Sequence, residues 1–263
     1  MEWKKIRRWL IVLLLAADLI LAGNIFRQLW QQRTIARDAA ENAVTVAAAR
    51  GIGISLEEVL SMPAESGAFR VKRESALEQT AAEKLLGQVE RTEPGGGVVI
   101  YGGEAGELSF RRGGAVEIRL VGAAYSDGAS IRSRLAMGGF PVKGASVAVD
   151  SGGVTLLQTY QKKPIFNCRL SCTAETGGLA VRGRWLMNES GEAGAAAKPR
   201  AQLVLALCDL LESQKCRRVI GLRPGYVLQS EDAQTMALVP VWEVQTEKGL
   251  LYLNGLTGKQ LLF

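Results

Sequence analysis

Residues 9–26 read WLIVLLLAADLILAGNIF, an apolar run broken by a single charge, Asp18. At a helical rise of 1.5 Å per residue this run is about 27 Å long, close to the roughly 30 Å hydrocarbon core of a bilayer. Such a run constrains the rest of the chain, because whatever follows it must fold on one side of a membrane. Lys4, Lys5, Arg7 and Arg8 precede it against Glu2 alone, and that basic excess keeps the N-terminus cytoplasmic. The expected topology is a basic cytoplasmic tail at 1–8, one transmembrane helix at 9–26 and an extracytoplasmic remainder. A cleaved signal peptide is the rival reading. The run exceeds the 7–15 apolar residues usual for one, and the nearest cleavage candidate, Leu21-Ala22-Gly23, puts a bulky Leu where a small residue is needed.

Asp18 lies just past the middle of the run. A carboxylate at that depth costs about 2.5–3.5 kcal/mol on insertion scales, and intramembrane acids usually face a partner helix. Ala22 stands four residues on, on the same helical face, and Ala16, Ala17 and Gly23 are further small residues that permit close approach. Asp18 and Ala22 are therefore the candidate partner-contacting residues. The plainer reading is a protonated or snorkelling Asp in an otherwise adequate anchor.

The 263 residues include no histidine. Ser-His-Asp and Cys-His nucleophilic sites, imidazole general bases and His-ligated zinc are excluded with it. The acidic residues form no DxDxDG loop and no acid–base constellation, so no catalytic, metal-binding or cofactor-binding residue is expected. The glycines at 95–97 and 102–103 fit neither GxxxxGK(S/T) nor GxGxxG and read as hairpin turns. Half of the net charge of +6 sits in the basic tail. What remains is sparse and scattered, and no nucleic-acid surface is expected.

Residues 27–50 hold no Gly or Pro, which predicts a helix leaving the membrane and stopping at Gly51, an αL cap position. A second helix is expected over 74–90, with Leu77, Ala81, Leu85 and Gln88 or Val89 along one stripe, then strands at 98–101, 107–110 and 115–121. After a boundary near 122–127 the same grammar returns. A helix at 128–137 ends at Gly138-Gly139-Phe140, and strands follow at 145–149, 154–160, 164–173 and 179–187. Phe166, Cys168, Leu170 and Cys172 alternate with Asn167, Arg169, Ser171 and Thr173, one face buried and the other wet. Pro199 opens a helix through 213 with Leu203, Val204, Leu207, Cys208 and Leu211 as its apolar stripe. Strands at 219–222, 238–246 and 250–254 close the chain, with 226–229 a further candidate. The expected fold class is α+β: a transmembrane helix followed by two extracytoplasmic helix-on-antiparallel-sheet units, at 27–122 and 123–263.

Cys168 and Cys172 lie about 13 Å apart along a strand, too far for a bridge between them. Cys208 stands on the helix stripe expected to cover that strand face. A bridge from Cys168 or Cys172 to Cys208 or Cys216, and four reduced buried thiols, are both open readings. Asn188-Glu189-Ser190 matches a glycosylation sequon, which implies nothing without a eukaryotic secretory route.

Several motifs fall in a definite order along nearly the whole chain. Met1-Glu2-Trp3-Lys4-Lys5 opens it before the Leu-rich anchor with Asp18, and Lys84-Leu85-Leu86-Gly87, Val99-Ile100-Tyr101 and Leu108-Ser109-Phe110 follow. Pro164-Ile165-Phe166-Asn167, Gly183-Arg184-Trp185-Leu186 and Gly225-Tyr226 come next. Pro240-Val241-Trp242-Glu243-Val244 and Tyr252-Leu253-Asn254-Gly255-Leu256-Thr257-Gly258 complete the order. The chain thereby resembles the YycI branch of the YycH/YycI regulators of Gram-positive bacteria, and its closing Trp strand, turn and Tyr strand are similar to PepSY-type domains. The resemblance implies a single-pass cell-membrane protein without enzymatic activity or cofactor. Its transmembrane helix would bind the WalK sensor histidine kinase beside a YycH-like sister protein, tuning cell-wall metabolism. A PepSY-like extracytoplasmic inhibitor or binding module for a secreted protease or wall component is the alternative. The four cysteines and the Ala-Gly-rich stretch at 189–198 depart from the family pattern.

Overall fold

One helix, α1 (Glu2–Ala49), carries the apolar run and the Ala-rich segment after it without a break. The structure, a computed structural model, describes residues 2–61, 67–122, 127–150, 153–232 and 234–263. The side chains of 2–13, 16, 29, 32, 33, 36, 61 and 150 fall outside that description. α1 stops where the sequence places its cap: Gly51 takes φ 71, and the Ile52 N–H donates to the Ala47 carbonyl at 3.0 Å. That left-handed position favours glycine. A short helix, α2 (Leu56–Ser61), follows. It begins in a reciprocal capping box, with the Ser55 N–H donating to Glu58 Oε2 at 2.8 Å and the Glu58 N–H to Ser55 Oγ at 3.2 Å.

The chain then runs β1 (Phe69–Lys72), α3 (Ser75–Leu86), β2 (Val89–Gly95), β3 (Val98–Gly103), β4 (Gly106–Phe110) and β5 (Ala115–Val121). Next come α4 (Gly128–Met137), β6 (Ser146–Asp150), β7 (Gly153–Tyr160), β8 (Lys163–Glu175), β9 (Gly178–Arg184) and β10 (Glu192–Ala193). α5 (Arg200–Ser213), β11 (Val219–Ser230), β12 (Thr235–Thr246), β13 (Gly249–Asn254) and β14 (Gln260–Leu261) complete it. Most expected elements are present with small shifts in their ends. α3 is shorter than the helix expected over 74–90, because Gly87 takes φ 86 and the chain turns at once into β2. β2 itself, β1 and α2 have no counterpart in the sequence reading.

The strands form one mixed sheet with two wings. In the first wing the order is β2–β3–β4–β5–β9–β8–β7–β6, every pair antiparallel. In the second, β12 pairs with β1, β11 and β13, and β10 and β14 extend its edges. A parallel pairing of β11 with β8, at Tyr226 and Ile165, joins them. α3 and α4 cover one face of the first wing, where Leu85, Leu86, Ile131 and Leu135 meet Tyr101, Ile118, Leu156 and Leu170. The end of α1 and α5 cover the second wing over Trp242, Val244 and Leu253.

The boundary expected near residue 122 falls inside the first wing. β5, before it, pairs along its whole length with β9, after it. The second wing likewise takes β1 from the first half and β11–β13 from the second. The two halves are interleaved because β9 of the second half pairs with β5 of the first, and β1 of the first half pairs with β12 of the second. At the seam two amide side chains act as backbone. Gln158, buried on β7, donates from Nε2 to the Leu186 carbonyl and accepts from its N–H, both at 2.8 Å. Asn167 does the same for Leu228 at 2.9 and 2.8 Å. Each satisfies a donor and an acceptor where the strand ladder is interrupted.

Candidate functional site

Along α1, Asp18 and Ala22 are one turn apart on one face, and both are exposed. Leu14, Leu19, Ile20, Leu21, Ile25 and Phe26 around them are also more than half exposed, so among the described residues this stretch packs on no other element. The basic residues Lys4, Lys5, Arg7 and Arg8, together with Ala16 and Leu29, lie where side chains are not described. Among the residues described with their side chains, no helix is long and apolar enough to cross a membrane; residues 9–13 and 16 of the expected span lie outside that set.

The other end of α1 is built into the core. Ala40, Ala43 and Ala47, spaced i, i+3, i+7, are buried against Leu203, Val204, Leu207, Cys208 and Leu211 of α5. Small residues on α1 let the large ones of α5 seat closely. Ile52, Ile54 and Val59 close the same cluster. At the top of the pair, Arg50 Nη1 lies 2.6 Å from Asp209 Oδ1 and 3.8 Å from Glu212 Oε1. The hydrogen bond to Asp209 holds the guanidinium above its ordinary value, but exposed pairs of this kind add little to stability. The sequence reading did not single out this alanine face. Its signal was the i, i+3, i+7 spacing within an Ala-rich helix.

A second concave region lies where β1 meets α3 and β9. Arg73 grips Glu78 with two hydrogen bonds, Nε to Oε1 at 2.5 Å and Nη2 to Oε2 at 2.8 Å; Glu78 is buried and Arg73 partly so. The Glu78 bonds hold the Arg73 guanidinium above its ordinary value, the bidentate geometry that makes such pairs strong. Behind them a cavity of about 20 Å³, the size of one water, is lined by Arg73, Glu78, Trp185 and Asn188. It borders a polar cleft of about 330 Å³ lined by Arg70, Lys72, Glu74, Ser190 and Thr235. Asn188, first residue of the formal sequon, is buried; its Nδ2 donates to Glu74 Oε1 at 2.7 Å and to the Lys72 carbonyl at 3.2 Å.

All four cysteines are free and buried. α5 covers β12 and β13, not the β8 face, so Cys208 and Cys216 sit in a different core cluster from Cys168 and Cys172. That corrects the placement behind the bridge reading. Burial pushes the Cys168 and Cys172 thiols up to about 12, which leaves them unreactive at neutral pH. Among the described residues, no group of three or more Cys, Asp or Glu side chains is placed to hold a metal ion.

No protein-family model matches the sequence, and no curated protein matches it. Among solved structures, 76% of this chain overlaps 87% of an uncharacterized protein from Eubacterium rectale, at 10% identity and a TM-score of 0.39. The YpeB C-terminal domain of Bacillus megaterium overlaps 72% of this chain over 98% of its own length, at 11% identity and a TM-score of 0.32. Neither overlap is close enough to carry a statement about fold or activity.

Proposed function

We propose that this protein is a membrane-anchored extracytoplasmic regulator, not an enzyme, that binds and modulates a two-component sensor histidine kinase controlling cell-wall metabolism, beside a YycH-like sister protein. The observation that carries the reading is α1. Its apolar run presents Asp18 and Ala22 on one open face, and the same unbroken helix ends with Ala40, Ala43 and Ala47 in the outer core. A helix of 48 residues is about 70 Å long. Anchored at both ends, it couples a lateral contact in the bilayer to the outer sheet. In the bilayer a partner helix supplies the hydrogen-bonding group that Asp18 lacks, and Ala22 permits the approach. Polar pairs of this kind contribute only about 0.6–2 kcal/mol, which suits a reversible contact. The hairpin that pairs Trp242 with Leu253 and Glu243 with Tyr252 is the segment that resembles PepSY-type domains.

The test is co-purification of full-length variants with the kinase from detergent. Asp18→Leu is expected to weaken recovery of the partner without preventing insertion, and Ala22→Trp to weaken it further, because bulk separates the helices. Protease added to intact protoplasts is expected to remove a C-terminal tag. If both variants and an anchor-swapped chain retain the partner, the contact lies outside the membrane. If a chain lacking α1 carries the full activity, the protein is an inhibitor or binding module instead.

A further inference from the structure

α1 runs as one unbroken helix from the apolar run into the core, so the direction its lower part faces is set by its upper part. With Asp18 as zero and about 100° per residue, Ala22 and Ile25 fall at about 40° and −20°, and Ala40, Ala43 and Ala47 at about 40°, −20° and 20°. The face that carries Asp18 is therefore the face that α5 covers higher up. Ile20, Asp38 and Thr45 fall on the other side, at about 200°, 200° and 180°, and all three are exposed. The two helices also run in the same direction. Arg50, just past α1, meets Asp209 and Glu212 late in α5, and Gly53 after α1 bridges to Arg218 after α5. The first turn of α5 is thus its end nearer the apolar run.

We propose that the face of Asp18 and Ala22 docks a transmembrane helix of a different protein, which lies beneath α5 and ends or turns aside within about 20 Å of the bilayer. This placement rests on the membrane-anchored reading of α1. The docking face continues the interface between α1 and α5, and from Ala40 upward α5 already fills the place a neighbouring helix would take. From residue 26 to Ala40 the helix rises about 20 Å, and Trp30, Thr34, Ile35 and Arg37 along that rise are exposed. That height is the room the partner has. It must bring a hydrogen-bonding side chain to Asp18 and a small residue to Ala22. A second copy of this chain fits badly. By two-fold symmetry it sets another acid at the depth of Asp18, and its own α1 continues unbroken to Ala49. Helices packed about 8–10 Å apart near Ala22 and crossing at about 20° are still only about 13 Å apart at the level of Ala40, about 27 Å higher. Residues 51–263 make a unit roughly 40 Å across, seated on the side of α1 that faces the partner. Two such units do not fit between axes so close.

The test is site-specific photo-crosslinking of the full-length chain in its native membranes. The photoreactive residue replaces Ile25, Ile20 or Gln202, the last an exposed position in the first turn of α5. Ile25 and Gln202 are expected to give adducts with the same second protein, each at least about tenfold more than Ile20 on the far side of the helix. Two alanines inserted after Thr34 turn the outer unit by about 200° and raise it by about 3 Å. The Gln202 adduct should then fall at least about tenfold while the Ile25 adduct stays, because the unit has swung off its partner. Four alanines turn it by only about 40° and raise it by about 6 Å, and the Gln202 adduct should return, so height does not explain the loss. Thermal melts confirm that each inserted chain keeps its fold. The proposal is overturned if both insertions give the same Gln202 yield, if Ile20 matches Ile25, or if Ile25 or Gln202 gives no adduct. It is equally overturned if the protein caught at Ile25 is a second copy of this chain. A kinase adduct at Ile25 with a Gln202 yield blind to the insertions leaves the partner reading standing and removes this one. An insertion-sensitive adduct with a protein other than the kinase does the reverse.

Discussion

The two wings of the sheet solve the same problem differently. In the first, β7 and β8 bury alternate residues and wet the rest: Val154, Leu156, Gln158 and Tyr160 point inward on β7, and Leu170 and Cys172 do so on β8 while Arg169 and Ser171 stay exposed. In the second, β12 is buried without interruption from 236 to 242. Trp242 and Val244 face α1 and α5, whereas Val239 and Val241 face a separate cluster with Phe166, Tyr252 and Leu256. A strand with one wet face can carry a charged surface; a strand buried twice cannot. The first wing thus keeps one wet face, and the second is committed to holding the end of α1.

This contrast breaks first on charge substitutions. Leu238→Asp and Val239→Asp, adjacent residues of β12, are both expected to unfold the protein, because each buries a carboxylate and the cost exceeds what a domain stable by about 5–15 kcal/mol can absorb. On β8, Leu170→Asp should do the same and Arg169→Asp should be tolerated. Urea melts of the full-length variants decide it; tolerance at Val239 would make the second wing single-faced as well.

The link between the wings is tested next. Arg73 follows β1 of the second wing and Glu78 lies in α3 over the first, so Glu78→Gln leaves a guanidinium that is only 13% exposed without its counter-charge. A loss of about 3–5 kcal/mol is expected, with both wings melting in one transition. Two separate transitions would show that the wings fold independently. An effect of similar size belongs to the seam. Gln158→Leu orphans the N–H and carbonyl of Leu186 at about 1–3 kcal/mol for each group, read as a shift of the urea midpoint.

The smallest effect sits where the halves were expected to divide. Asp127 caps α4 by accepting from the Ser130 N–H at 2.6 Å, which holds its carboxyl below the ordinary 3.8. A lowered folded-state value means that this contribution is present above about pH 3.8 and is lost as pH falls through the lower folded value. Asp127→Asn should keep a cap but flatten that acid limb in thermal melts. An unchanged acid limb would mean that the carboxylate adds nothing to α4.

Local signals were legible wherever a residue's neighbours in sequence are also its determinants. The stop of α1 at Gly51, the whole of α4 and the buried stripe of α5 follow from glycine φ, capping and the 3.6-residue period. The placing of Asp18 and Ala22 on one helical face needs nothing more. α2 was within reach, since Ser55 and Glu58 spell its capping box. Strand partnership was not. Alternation says which residues of β8 and β9 point inward, but not that β9 would pair with β5 across the expected boundary or that β8 would meet β11 in parallel. Arg111, Arg119, Arg169, Arg182 and Arg184 look scattered along the chain and converge only once that register is set. Pairing between distant strands is decided by the sum of many side-chain contacts over the whole sheet, which no local window contains.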